Sequence, residues 1–157
     1  MLLTASLIAA IVLNALVAGL FFAFSTAVLP GLRDVDDRAF VTIFRRINAA
    51  IQNPVFLAVF FGAPILAVLA AGTALIQGTE LNTTMIVVGA LLSAATFMFT
   101  SSRSVPLNTM LDRLPANTDA DARSARERFE PLWSRWNVIR TLTATASVAV
   151  LSIALVF

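Results

Sequence analysis

Four side-chain types that carry much of enzyme chemistry are missing from this 157-residue sequence, which has no histidine, cysteine, tyrosine or lysine. The absence of cysteine and histidine excludes disulfide bonds, thiolate nucleophiles, imidazole bases and the usual protein ligands of zinc, haem iron and iron–sulfur clusters. Only four methionines remain as soft ligands. We therefore expect no metal site and no cofactor held by strong protein ligands. We also expect no nucleic-acid partner.

Charged residues are also scarce. They make up 13% of the chain, against about 25% in a typical soluble domain, while hydrophobic residues reach 59%. A core of this size cannot bury so much apolar surface. The composition indicates that lipid is the solvent for much of the protein.

Four apolar runs are long enough to predict membrane spans, since crossing the hydrocarbon takes about 20 mainly apolar residues. They are Leu2–Leu29, Pro54–Ile76, about 84–102, and Asn137–Phe157. The first run is too long for a cleaved signal peptide and has no basic residue before Arg33, so we interpret it as a retained span. We expect one domain covering residues 1–157.

Two of the connections between spans predict shorter helices. After a cap at Asp36 or Asp37, apolar residues recur at helical spacing from Phe40 to Ile51 and lead into the second span. Residues 123–129 precede the fourth span in a similar way. Pro64 and Pro106 are expected kinks or helix boundaries. The predicted fold is all-α: a four-helix transmembrane bundle with amphipathic lead-in helices on the cytoplasmic side.

The basic residues are distributed on one side of the predicted bundle. All 11 are arginines in or beside the first and third connections, whereas the second connection, QGTELN, carries only Glu80. The positive-inside rule then places these two connections in the cytoplasm and both termini outside. We therefore expect an integral protein of the inner (cell) membrane whose first partner is the lipid bilayer.

Polar side chains near the cytoplasmic ends of the spans have two interpretations. Arg45, Asn48 and Gln52 share one helix face, Asn108 follows the third span, and Trp133, Trp136, Asn137, Arg140 and Thr141 form a stripe at helical spacing. They could form an interfacial aromatic belt with a snorkelling arginine. Because Asn137 cannot snorkel and lies on the same stripe as Arg140, we favour an inward-facing polar pocket. Asn14, in the middle of the first span, is expected to make an interhelical hydrogen bond.

Four stretches, in this order along the chain, resemble the DUF1772 family, which includes the fungal anthrone oxygenases. They are GLFFAFSTAVLPGL (19–32), INAAIQNPVF (47–56), VPLN (105–108) and WSRWNVIRT (133–141). The resemblance implies a small integral-membrane oxygenase that converts a lipophilic, anthrone-like aromatic with O₂ and without a cofactor.

The resemblance also implies roles for individual residues. Arg140, Asn108 and Asn137 are the catalytic candidates, which supply a cation and hydrogen-bond donors to an enolate or peroxide oxygen. Trp133 and Trp136 would stack on the substrate, and Asn48, Arg45 and Gln52 would complete its binding site. The base stays open: it could be Glu130 or Asp112, or the substrate's own acidity could suffice.

Two other functions compete with this one. The same pocket could bind a lipid, a quinone or a partner membrane protein without turnover. A transporter or channel component is less favoured, because the spans contain no acidic residue that could relay protons or cations. Small residues at 89–95 allow close helix contact and a homo-oligomer.

Overall fold

Five helices make up nearly all of the chain in a computed structural model that describes residues 1–78 and 82–156. They are α1 (Leu2–Gly31), α2 (Asp37–Ile51), α3 (Pro54–Gln77), α4 (Thr83–Arg113) and α5 (Asp119–Val156). These described residues contain no strand. The all-α prediction is confirmed, and α1, α3, α4 and α5 are long and apolar enough to cross a membrane.

The helix starts follow from local capping. The Asp36 side chain accepts a hydrogen bond from the backbone N–H of Ala39 at 2.9 Å, so Asp36 is the N-cap of α2. Asn53 caps α3 in the same way, with Pro54 in the first turn where its missing N–H costs nothing. At the other end of α3, Gly78 adopts the left-handed conformation that commonly ends a helix.

Pro64 and Pro106 do not end their helices, since α3 continues through Pro64 and α4 continues through Pro106. In both α1 and α4, a π-helical turn precedes the proline: Phe24–Val28 before Pro30, and Thr100–Ser104 before Pro106. In a single π-helical turn, each backbone N–H bonds to the carbonyl five residues earlier in place of four, and the α-helix continues after it. α4 thus runs on to Arg113 and has 31 residues, against the roughly 19 of the apolar run at 84–102.

The fourth span and its expected lead-in segment are a single helix. α5 runs without a break from Asp119 to Val156, and Pro131 lies inside it. A proline removes one backbone hydrogen bond but does not have to end a helix. The charged start of α5 therefore continues directly into its apolar part. Phe157, the last residue of the predicted span, lies outside the described residues.

The four long helices pack around a ring in the order α1, α3, α4, α5, so that each contacts two neighbours. α3 packs along the first part of α4 (Thr83–Phe99), whereas the last part (Val105–Arg113) packs against α2 and α5. This divergence of α3 from the end of α4 leaves room between them. We call this end of the bundle, where α2 lies and α5 begins, the arginine-rich end.

The opposite half of the bundle, here called the distal half, is packed with small and aliphatic residues, mainly alanine and leucine. Gly89 of α4 lies so close to α5 that an added Cβ would come within 2.4 Å of Leu151 Cδ2. Ser147 Oγ donates a hydrogen bond to the Gly89 carbonyl at 2.8 Å. Near the middle of the bundle, Ser93 Oγ donates to Asn14 Oδ1 at 2.8 Å, which confirms the expected interhelical bond of Asn14.

Candidate functional site

A cavity of about 320 Å³ lies at the arginine-rich end, between α1, the end of α2, the start of α3, the last part of α4 and α5. Its walls are mainly apolar and aromatic: Phe21, Phe24, Phe56, Phe60, Phe61 and Trp133. Polar side chains from three helices complete the lining, namely Asn48, Gln52, Thr100, Ser101, Asn108, Thr109, Asp112 and Arg140. Its volume is at the lower end of the range for small-molecule sites, roughly 300–1,000 Å³.

Arg140 is the buried cation of this cavity, with only 4% of its surface exposed. Its Nη2 donates to Asn137 Oδ1 at 3.0 Å. The guanidinium carbon lies 4.2 Å from the centre of the Phe21 ring and 5.2 Å from that of Trp133, within the range of cation–π attraction. Within the described parts of the chain, the Arg140 Nε has no hydrogen-bond partner and no carboxylate forms an ion pair with it.

Asn137 holds Arg140 in place and is itself fully buried. Its Nδ2 donates to the Phe21 carbonyl and to Ser25 Oγ, both at 2.8 Å. The Phe21 carbonyl lies just before the π-helical turn of α1, where the regular backbone bonding is interrupted. The amide of Asn137 is therefore fixed by α1, with its oxygen left to accept the bond from Arg140.

The last turn of α2 supplies a second buried donor. Asn48 is 5% exposed, and its Nδ2 has no hydrogen-bond partner among the residues that the structure describes. One turn further on, Gln52 Nε2 donates to the Asn48 backbone carbonyl at 3.2 Å. Burying a donor without a partner costs roughly 1–3 kcal/mol of stability. A ligand that brings an acceptor oxygen into the cavity would remove this cost.

Trp133 forms part of the cavity wall, and Asn108 fixes its orientation. The indole Nε1–H donates to Asn108 Oδ1 at 2.9 Å. The ring packs against Phe24 and Phe44 at centroid distances of 5.3 and 5.0 Å. A ring held on one side by aromatic contacts and at its polar edge by an amide is a rigid surface for a flat ligand.

Two of the sequence-predicted site residues lie away from the cavity lining. Trp136 is half-buried on the side of α5 that faces α4, where its ring contacts Phe99 and lies beneath the Arg103 guanidinium, 5.3 Å from its carbon. Arg45 joins α2 to α4 by donating to the carbonyl oxygens of Leu111 and Leu114, at 2.8 and 2.6 Å. The structure thus brings together Asn48, Gln52, Asn108, Trp133 and Arg140 as lining residues, with Asn137 directly behind Arg140.

Most of the aromatic lining was not predicted from the sequence. The phenylalanines of α1 and α3 look like ordinary lipid-facing residues in an apolar span, and no sequence signal singles them out. Of the two carboxylates considered as bases, Asp112 lines the cavity. Glu130 instead accepts a hydrogen bond from Arg126 at 2.7 Å, outside the lining.

The arrangement suits an acceptor oxygen on a flat apolar molecule. A cation and an amide donor line the same cavity, whose walls are mainly apolar and aromatic, and electrostatic interactions are strong in apolar surroundings. Within residues 1–78 and 82–156, no three acidic side chains come together in a way that could hold a metal ion.

A comparison with protein families supplies the decisive observation: the family model described as anthrone oxygenase matches residues 53–150. The chain belongs to the anthrone oxygenase family. Comparisons with curated proteins and with solved structures found no match. The range shared with the anthrone oxygenase family includes Asn108, Trp133 and Arg140, whereas Asn48 and Gln52 of α2 lie just before it.

Proposed function

We propose that this protein is an integral-membrane oxygenase that converts an anthrone-like aromatic to a quinone with O₂ and without a cofactor. The observation that carries the proposal is the pair of buried donors at one aromatic cavity, Arg140 Nε and Asn48 Nδ2, neither of which has a partner within the described residues. A ligand that brings an acceptor oxygen would satisfy both, and membership of the anthrone oxygenase family supports this substrate class.

The shape and composition of the cavity favour a flat, lipophilic substrate. Phe21 and Trp133 both present aromatic rings to the Arg140 guanidinium. On the outside of the bundle, Leu57, Phe61 and Val105 belong to the cavity lining and are 38%, 47% and 51% exposed. Because these exposed side chains are apolar, we infer that the substrate enters from the bilayer between α3 and α4.

The proposed chemistry needs no metal or redox cofactor. Loss of a proton from the methylene group between the two aromatic rings breaks a C–H bond and leaves a delocalised enolate. The enolate passes one electron to O₂, and the resulting radical and superoxide combine to form a C–O bond. After protonation, the hydroperoxide loses its second C–H proton while the O–O bond breaks, which releases water and leaves the quinone carbonyl.

The residues of the cavity act on the charge that develops during these steps. Arg140 stabilises the negative charge on the enolate and peroxide oxygens, and Asn48 donates a hydrogen bond to the same region. Asn137 orients Arg140, and Asn108 orients Trp133, on which the substrate stacks. Gln52 closes the water-facing side, and Arg45 holds α2 against α4. Trp136 acts from outside the cavity by supporting this part of α5.

We further propose that the arginine-rich end faces the cytoplasm of the cell membrane and that both termini lie outside. This orientation follows from the distribution of the 11 arginines and the positive-inside rule. The cavity would then lie in the cytoplasmic half of the bilayer, close to the level of the lipid headgroups.

The test is turnover by the purified protein in lipid nanodiscs, supplied with an anthrone and O₂, with quinone absorbance and O₂ uptake measured together. We expect one quinone for each O₂ consumed, at a rate well above that of empty nanodiscs, with a large loss of rate in Arg140→Ala and a smaller loss in Asn108→Ala, which frees the Trp133 ring. If the protein and the empty nanodiscs give equal rates while the ligand still binds, the protein is a non-enzymatic binding bundle and the oxygenase proposal fails.

A further inference from the structure

We propose that Asp112 is the base that takes the proton from the substrate, an inference that rests on the proposed oxygenase function. Asp112 lies on α4, four residues after Asn108, so both side chains share one face of the helix, and both line the cavity. Two independent features of the chain support this role: its composition and the position of its carboxylates.

Composition leaves very few bases in this protein. Histidine, cysteine, tyrosine and lysine are absent, so the side chains that could accept a proton near neutral pH are the nine aspartates and glutamates. The arginines stay protonated and can only donate. If a side chain of this protein removes the substrate proton, that side chain is a carboxylate.

The positions of the acidic residues then indicate which carboxylate this is. Eight of the nine acidic residues lie within the described parts of the chain, and among these eight only Asp112 lines the cavity. Several of the others are engaged elsewhere: Asp37 and Glu130 pair with Arg126, and Asp119 pairs with Arg38. Asp36 caps α2.

Within the described residues, the arginines around Asp112 form no ion pair with its carboxylate. From α2, the Arg45 guanidinium donates to the neighbouring Leu111 carbonyl. From α5, Arg140 lines the cavity. On α4, Arg113 follows Asp112 directly in the chain. Within residues 1–78 and 82–156, none of these cations lies within 4 Å of the Asp112 oxygens as an ion pair.

The exposure of Asp112 suits a base that must work repeatedly. Asp112 lines the cavity and is also exposed at the surface, and at the charged end of α4 we infer that a proton taken from the substrate leaves to solvent. In the first step, the substrate C–H bond breaks, the proton moves to a carboxylate oxygen and the electron pair stays in the enolate beside Arg140. In the last step, the same carboxylate takes the second C–H proton as the hydroperoxide loses water.

The experiment compares the wild type with Asp112→Asn in nanodiscs, using an anthrone with hydrogen or deuterium at the reacting carbon. We expect Asp112→Asn to lower kcat/KM at least about a hundredfold, as typical for loss of a general base, with little change in the Kd for the quinone product. The acid limb of the wild-type pH–rate profile should disappear in this variant, and Asp112→Glu should restore part of the rate. Asp34→Asn is the matched control, because Asp34 is exposed and does not line the cavity.

The outcomes separate the two proposals. If the wild type shows no turnover, the oxygenase proposal fails and the role of Asp112 falls with it. If the wild type turns over and Asp112→Asn keeps its rate, its isotope effect and its acid limb, then solvent removes the proton and the assignment of Asp112 is overturned. An equal loss in Asp34→Asn would show that surface charge, and not a base in the cavity, sets the rate.

Discussion

The two halves of the bundle differ in whether buried polar side chains keep atoms without a hydrogen-bond partner. In the distal half and near the centre, the side chains of Asn14, Ser93 and Ser147 all have hydrogen-bond partners. At the arginine-rich end, three buried side-chain atoms have no partner among the described residues: Asn48 Nδ2, Ser104 Oγ and Arg140 Nε. Two of the three belong to residues that line the cavity.

Packing follows the same division. The distal half brings helices together through alanine and glycine, as is common in membrane bundles where close contact drives association. The arginine-rich end is filled with large aromatic rings around a cavity. One half is therefore organised for stability, and the other keeps unpaired donors and empty space, which is the usual compromise at a functional site.

The largest expected effect comes from removing the buried cation. Arg140→Met should lower kcat/KM by a factor of about 10²–10³, similar to the loss of one preorganised donor at an oxyanion, while the unfolding temperature in detergent stays equal or rises. A buried charge without an ion-pair partner contributes little to stability. Arg135→Met, at an exposed position on the same helix, should leave both quantities unchanged. A variant that unfolds together with its loss of activity would make Arg140 a structural residue.

The distal half should respond most to a change in packing. Gly89→Ala places a methyl group 2.4 Å from Leu151 Cδ2, and we expect it to lower the free energy of unfolding by about 1–3 kcal/mol. In Gly72→Ala the new methyl group meets no atom within 4 Å, so that variant should be neutral or slightly stabilised. The free energy can be measured by reversible unfolding in mixed micelles. Equal effects for the two variants would contradict close packing at Gly89.

The two buried asparagines give a more direct contrast. Asn14→Leu removes the bond to Ser93 and should cost about 1 kcal/mol, typical of interhelical hydrogen bonds in membranes. Asn48→Leu removes an unpaired donor, so it should not lower stability but should weaken binding of the quinone. Unfolding and binding measurements on both variants test this. Destabilisation by Asn48→Leu would mean that its amide is already satisfied.

The smallest effects are expected at the tryptophans. Trp133→Phe keeps an aromatic ring but leaves Asn108 without its donor, and we expect KM to rise about fivefold, as for one hydrogen bond of roughly 1 kcal/mol. Trp136→Phe should change KM by less than about twofold, since Trp136 lies outside the cavity lining. Steady-state kinetics of the two variants measure these changes in KM. A larger effect at Trp136 would place the substrate between α4 and α5 instead.

Much of the fold was predictable because apolar length and capping residues determine where membrane helices lie. The starts of α2 and α3 follow directly from Asp36 and from the Asn53–Pro54 pair. The continuation of α4 to Arg113 was not predictable, since it depends on the π-helical turn Thr100–Ser104, whose stability comes from packing against other helices.

The candidate site was predictable in its polar part and at Trp133, but not in the rest of its aromatic lining. Asn48, Asn108 and Arg140 stand out because polar groups are costly in lipid and therefore rare. Trp136 illustrates the limit of the stripe argument: three residues from Trp133, it projects to one side of the helix and meets Phe99 of α4. The phenylalanines of the cavity could not be separated from lipid-facing ones, because burial depends on which helices become neighbours.

The most direct test of a ligand site at the arginine-rich end is an NMR titration of protein labelled with ¹⁵N-tryptophan, which has only two indole signals. The Trp136→Phe variant assigns them. We predict that an anthraquinone shifts the Trp133 signal, whose N–H is bonded to Asn108, in a saturable manner and that Arg140→Met abolishes the shift. A shift confined to Trp136, or none at either indole, would contradict the account.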